Sequence, residues 1–157
     1  MEIISGGQTG VDRAALDFAM RHGLEYGGTC PHGRKAEDGR IDAKYNLRET
    51  DSLEYAERTK QNVLDSDATL IFVRHPQLGG GTALTHDLAV EHGRPVLVIC
   101  ECDVATEGAK RIAAFLKNNA VRILNVAGPR ESEAPGLSAF VNRVLESVLS
   151  MYWTGSK

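Results

Sequence analysis

Two glycine-rich turns, Gly6-Gly7-Gln8-Thr9-Gly10 and Gly79-Gly80-Gly81-Thr82, carry the residues whose types and spacing best suit a ligand. Each follows a strand-like run and precedes a helix-like one. Glycine lets a backbone pass close to a ligand, and the helix start that follows presents unpaired N–H groups and the positive end of its dipole. The chemistry this suits is the holding of an anion, a phosphate above all. Neither turn is a Walker A loop, because no Gly-Lys-Ser/Thr follows, and the glycine spacing is not G-x-G-x-x-G.

The neighbours of the turns have two readings each. With Thr9 as N-cap, Asp12 falls at the third helical position, where a carboxylate suits the helix start. Beside a phosphate it could instead serve as acid or base. Arg13 could pair a ligand anion or be solvated. Thr82 can cap the second helix, and Thr85 lies one turn on, on the face nearest the ligand. His86 and Asp87 follow, but adjacent helical residues diverge by about 100° and cannot both face one ligand. Arg58 and Asn62, four apart, share a helix face with Tyr55 that is distinct from a Leu53, Ala56 and Val63 core stripe. A guanidinium and a carboxamide there could grip a phosphate or a heterocycle, or form a solvated face. The polar stretch from Cys30 to Thr50 offers His32, Arg34, Lys35, Glu37 and Asp38 as lid groups; its mixed charge also fits an inert surface loop.

Metal and nucleophile chemistry find less support. Cys100-x-Cys102 lacks the second ligand pair that a structural zinc site needs, so buried reduced thiols are the expectation. No G-x-S-x-G elbow or H-E-x-x-H helix is present.

The elements that must position these residues alternate regularly. Strand-like runs at Glu2 to Ser5, Leu24 to Thr29, Ala68 to Val73, Pro95 to Cys100 and Val121 to Val126 alternate with helix-like segments at Val11 to His22, Leu53 to Leu64, Thr82 to Glu91, about Thr106 to Lys117, and from Leu137 on. Asp51 or Ser52 is the expected cap of the second helix, Asp51 with Glu54 resembling a capping box. Continuous apolar strands between helices predict a parallel sheet covered on both faces. The expected fold is α/β: one doubly wound, Rossmann-like domain over residues 1–157, with a five-stranded parallel sheet in the order 2-1-3-4-5. That order sets the two glycine turns on either side of one crevice.

Composition bounds the partners. The 157 residues are 42% hydrophobic and 25% charged with a net charge of −3, which gives no basic footprint for nucleic acid. No apolar stretch is long enough to span a bilayer. Three cysteines make no disulfide framework and Met1 leads directly into a strand-like run, so the chain reads as cytoplasmic and reduced. Met151, Tyr152 and Trp153 are large apolar groups near the end of the chain that would suit self-association.

The run from Ser5 through Gly-Gly-Gln-Thr-Gly-Val-Asp-Arg to Asp17 resembles the family of putative molybdenum carrier proteins, Rossmann-like relatives of the lysine-decarboxylase-like, nucleotide-binding superfamily. Cys30 to Arg34, Ala36 to Gly39, Tyr45, Leu47, Glu49-Thr50, Tyr55, Arg58-Thr59, Asn62, Ser66-Asp67, Gly80 to Thr82 and Thr85 extend the likeness in order and spacing over roughly residues 3 to 100. The resemblance implies a Rossmann-like fold, self-association into a homo-oligomer, and binding of the molybdenum cofactor, a phosphorylated pterin. A related branch, the nucleoside-monophosphate phosphoribohydrolases, carries Pro-Gly-Gly-x-Gly-Thr-x-x-Glu with a catalytic Glu. Here Thr85 stands where that Glu would be. The expected function is therefore to hold a phosphorylated pterin or nucleotide. The alternative is an enzyme acting on a nucleotide, with Asp12, Glu37 or Asp38 as acid and base.

Overall fold

The computed structural model describes residues 1–153; the Trp153 side chain and residues 154–157 lie outside the described part. Five parallel strands form one sheet: β1 (Glu2–Ile4), β2 (Glu25–Gly27), β3 (Ala68–Val73), β4 (Val96–Cys100) and β5 (Ile123–Ala127). The helices are α1 (Val11–Arg21), α2 (Tyr55–Asp65), α3 (Gly80–Glu91), α4 (Ala105–Asn118) and α5 (Leu137–Val148). α5 packs between α1 and α4, while α2 and α3 pack on each other. The main apolar cluster joins the sheet to α1, α4 and α5, with Phe18, Leu70, Phe72, Ile112, Leu124, Phe140 and Val144 fully or almost fully buried. β3 is buried along its whole length. Its alternate residues Ile71 and Val73 form a smaller cluster with Cys100, so the strand lacks a solvent face, as its continuous apolar run requires.

The parallel five-stranded sheet with helices on both faces is as expected, but the last strand is central. The order is β2-β1-β5-β3-β4. Ile4 of β1 pairs with Asn125 of β5, and Ile71 of β3 pairs with Ala127. In chain order this is 2-1-5-3-4 rather than 2-1-3-4-5. Two polar fasteners hold β5 in place: Asp67, before β3, accepts the Arg122 and Ile123 N–H groups at 2.9 and 2.8 Å, and the Ser5 hydroxyl donates to the Val126 carbonyl at 2.8 Å. Read from β5 as though it came first, the order becomes 3-2-1-4-5, the doubly wound arrangement whose switch point lies between its first and fourth strands. In this chain that point falls between β5 and β3.

The stretch between β2 and α2 is ordered by a core of its own. Cys30, Ala36, Ile41, Tyr45 and Leu47 cluster against Leu16 of α1. Thr29–Cys30 pairs in parallel with Arg48–Glu49, and Lys35–Ala36 pairs with Gly39–Arg40. These apolar residues are too widely and irregularly spaced to show a period in the sequence.

Two local expectations change. α2 begins at Tyr55 with Glu54 as N-cap, because Ser52 Oγ accepts the Glu54 N–H at 3.0 Å and holds the approach extended; the Asp51–Glu54 box does not form. Leu53 is 58% exposed and Ala56 is exposed too, which leaves Val63 as the one buried residue of the expected stripe. Cys100 and Cys102, expected as reduced thiols, are joined in a disulfide. The turn after β4 folds back through Glu101 N–H to the Val73 carbonyl (2.8 Å) and Asp103 N–H to the Cys100 carbonyl (2.9 Å), which brings both sulfurs to one side.

Candidate functional site

A cavity of about 80 Å³ opens at the carboxyl ends of β1, β5 and β3, and both glycine turns contribute to its wall. Gly6, Gln8 and Asp12 come from the first turn and α1; Gly81, Thr82 and Thr85 come from the second turn and α3. Arg58, Tyr55 and Asn62 reach it from α2. There is room in it for a phosphoryl group, and its mouth is open to the rest of a larger ligand.

Gln8 is 5% exposed and is fixed in orientation. Its Oε1 accepts the Thr9 N–H at 3.1 Å and the Glu37 N–H at 2.9 Å, which assigns the amide nitrogen to the other side. That nitrogen, Nε2, is buried without a hydrogen-bond partner, as is Nε of Arg58. Buried donors are nearly always satisfied, and the two residues that carry these orphans both line the cavity, so an acceptor bound there would lie next to them. Arg58 fits because residue 6 is glycine: a Cβ there would stand 1.9 Å from Arg58 Nη1. Arg58 Nη1 also lies 3.3 Å from Asp12, whose carboxylate accepts the Gln8 N–H at 3.2 Å. Burial pushes the Asp12 carboxyl above its usual range, opposed by the Arg58 charge and by backbone hydrogen bonds.

The rim is aromatic and cationic. Lys35 Nζ lies 4.7 Å from the centre of the Tyr55 ring, and the guanidinium carbons of Arg58 and Arg130 each lie 5.4 Å from it. Three cations thus stand over one ring, and two of them, Arg58 and Arg130, line the cavity. Arg130 is tethered by Glu133 at 2.9 Å.

Several sequence-derived candidates serve the scaffold instead. Arg34 is buried and donates to the carbonyls of Ile41, Asp42, Tyr45 and Leu47 at 2.7–3.3 Å, so it organises the connection. Arg13 forms a forked pair with Asp38, with one arm at 2.8 Å, and donates to the Gly7 carbonyl; the arginine holds the Asp38 carboxyl below its usual range. Glu37 accepts hydrogen bonds from the Ser132 and Thr9 hydroxyls, which lower its carboxyl in the same way. Asn62 lines the cavity, but its carboxamide is spent on Thr29, Oδ1 accepting the N–H and Nδ2 donating to the carbonyl, each at 2.8 Å. Thr85 Oγ1 donates to the Gly81 carbonyl at 2.8 Å.

The helix caps also differ from expectation. Gly10, with φ of 82°, is the N-cap of α1, so Asp12 is the second helical residue and Thr9 precedes the helix, its hydroxyl accepting the Glu131 N–H at 3.1 Å. Gly79 caps α3, and Thr82 sits inside the first turn. Gly7, Thr9, Gly10, Gly79 and Gly80 therefore shape the turns without lining the cavity.

Sequence reasoning missed a third wall. Asn125, Ala127, Gly128, Pro129 and Arg130 line the cavity from the end of β5. The available signal was Gly128-Pro129 after a buried apolar run. It carries weight only once β5 is central, where a Cβ on residue 128 would stand 2.6 Å from the Phe72 carbonyl oxygen.

Comparison with known proteins agrees with this geometry. Residues 3–149 match the circularly permutated YpsA SLOG family. The "putative molybdenum carrier protein" from Syntrophus aciditrophicus SB, solved as a crystal structure, is similar at 44% identity over 94% of each chain, with a TM-score of 0.92. No curated protein matches the chain. A sheet that regains the doubly wound order when its last strand is read first is what a circular permutation produces. The family match, the structural neighbour and the strand order agree: the chain belongs to the circularly permutated YpsA SLOG family.

Proposed function

We propose that this protein binds a phosphorylated heterocycle, a nucleotide or the phosphorylated pterin of the molybdenum cofactor, and holds it without cleaving it. One observation carries the reading: the cavity is lined by Gln8 and Arg58, the two residues that carry buried donors without a partner, beside an aromatic ring flanked by three cations. The Gln8 and Arg58 donors and the first turn of α3, whose Gly81 and Thr82 N–H groups precede the first intrahelical bond from Ala83, suit the phosphoryl oxygens. Tyr55 and Arg130 suit a flat ring lying over the rim.

Magnitudes require both parts. Hydrogen bonds to charged groups contribute about 1.5–3 kcal/mol each, and micromolar affinity needs ~8 kcal/mol after the cost of association. Ring contacts must supply the remainder. The name of the structural neighbour favours a molybdenum ligand. Among the described residues no group of three or more His, Cys, Asp or Glu side chains is placed to hold a metal ion, so in this reading the protein grips the organic, phosphorylated part.

Of the acid–base groups the enzymatic alternative would use, Asp12 alone lines the cavity, and it is paired with Arg58. Thr85 replaces the phosphoribohydrolase glutamate, and Glu37 and Asp38 are engaged by Ser132, Thr9 and Arg13. Calorimetric titration with AMP, GMP and molybdenum cofactor tests the proposal. Micromolar binding with no release of base is expected; release of free base, or absence of binding by all three, would refute it.

A further inference from the structure

Asp12 faces the same cavity that is shaped to take an anion, and this juxtaposition has a chemical consequence. The residue is 5% exposed. The charged and titratable groups around it are few: Arg58 on α2 at 3.3 Å, Tyr55 on the same helix, and Arg130 and Glu133 after β5, which pair with each other; α3 brings only Thr82 and Thr85. Arg13, the next residue, is committed to Asp38. Among the described residues Arg58 is thus the single cation within salt-bridge reach of Asp12, and it lines the cavity too. An oxyanion that takes up the Arg58 donors sets a second negative charge beside a buried carboxylate and draws on the cation that balances it.

We propose that an oxyanion enters this cavity together with one proton, which resides on Asp12, or between Asp12 and the anion when the anion itself can carry it. The inference rests on the anion-binding reading above and deepens it: the site selects oxyanions that bring a proton, such as phosphate monoesters, over obligate dianions. In this proposal the 3.3 Å contact with Arg58 holds the charge of the Asp12 carboxylate while the cavity is empty. When the anion binds, Arg58 turns its charge to the ligand and the Asp12 carboxylate accepts a proton from solvent or ligand; no other bond is made or broken. Burial of the carboxyl, which already favours its neutral form, acts in the same direction.

Sulfate is the cleanest probe because it carries no proton between pH 5 and 8. Titration calorimetry of the full chain with sulfate, in two buffers of different ionisation enthalpy at pH 7, is expected to show uptake of close to one proton per site. Sulfate affinity should fall about tenfold per pH unit. Inorganic phosphate at pH 6 should bind with less uptake. Asp12→Asn should abolish the uptake and bind sulfate with an affinity that no longer depends on pH. Anion binding by the wild type without proton uptake, or uptake that persists in Asp12→Asn, would overturn this inference and leave the binding site standing. Failure of the wild type to bind either anion from pH 5 to 8 would overturn both.

Discussion

The two glycine turns look alike in sequence and are built oppositely. In the first, the space that glycine leaves is filled by the protein: Arg58 occupies the side-chain position of Gly6, and a Cβ on Gly10, at φ 82°, would stand 2.8 Å from the Pro129 carbonyl and 2.9 Å from the Glu131 nitrogen. In the second, a Cβ on Gly79, Gly80 or Gly81 would meet nothing within 4 Å. Glycine in the first turn thus serves assembly, letting α2 and the chain after β5 close on α1. Glycine in the second leaves open space at a helix start. The first turn delivers fixed side-chain donors and the second delivers bare backbone, and a phosphoryl group between them uses both.

The largest expected effect falls on the crowded side. Arg58→Met removes the partner of a buried carboxylate, and breaking such a pair costs about 3–5 kcal/mol. At about 2–4 °C per kcal/mol, thermal unfolding above pH 7 should drop by roughly 10 °C. The dependence on pH has a definite sign. Burial raises the Asp12 carboxyl above its unfolded value of about 3.9, so its contribution to stability is complete below that value and is lost as pH rises through the folded one. Arg58→Met raises the folded value further, and denaturant titrations should show the deficit of the variant growing as pH rises. A deficit independent of pH would separate Arg58 from Asp12.

Gly10→Ala comes next. Backbone atoms surround the site and cannot swing away, so overpacking of about 1–3 kcal/mol is expected, read as a lower midpoint in urea unfolding. Gly81→Ala sharpens the contrast. Its φ is negative and its surroundings are open, so stability should hold or rise by up to about 1 kcal/mol, while nucleotide affinity falls as the added methyl enters the cavity wall. Equal destabilisation by the two alanines would erase the distinction between the turns. The smallest effect is expected of Tyr55→Leu, which should weaken nucleotide binding several-fold and leave binding of inorganic phosphate unchanged.

The strands and helices were legible because period and glycine punctuation are local properties; the meeting of both turns at one cavity was expected from the order 2-1-3-4-5 and is reached instead with β5 between β1 and β3. Strand order was not legible. Nothing in Ile123–Ala127 states that it inserts between β1 and β3; that depends on Asp67, 55 residues from Arg122 in sequence, and on Ser5, 121 residues from Val126. The wall from Asn125 to Arg130 was lost with it. Arg34, Glu37 and Asp38 misled for a related reason, since charged groups in a polar stretch look alike whether they meet ligand or protein. Only the apolar cluster of Ile41, Tyr45 and Leu47 beneath them shows that the stretch is folded, with those charges as its fasteners. Asp12, singled out in the sequence, lines the cavity, but its burial against Arg58, 46 residues away, depends on the space left by Gly6, which spacing alone does not reveal. At the far end, Tyr152 packs against the main core and Met151 is 43% exposed, so half of the described terminal apolar pair is already used within the chain.

A crystal structure of the protein with a bound nucleoside monophosphate tests the central claim most directly. The account predicts the phosphate within hydrogen-bond distance of Gln8 Nε2, Arg58 and the backbone of Gly81–Thr82, with the base over Tyr55. A ligand seated elsewhere, such as the polar groove lined by Glu49, Asp51 and Glu57, would contradict it.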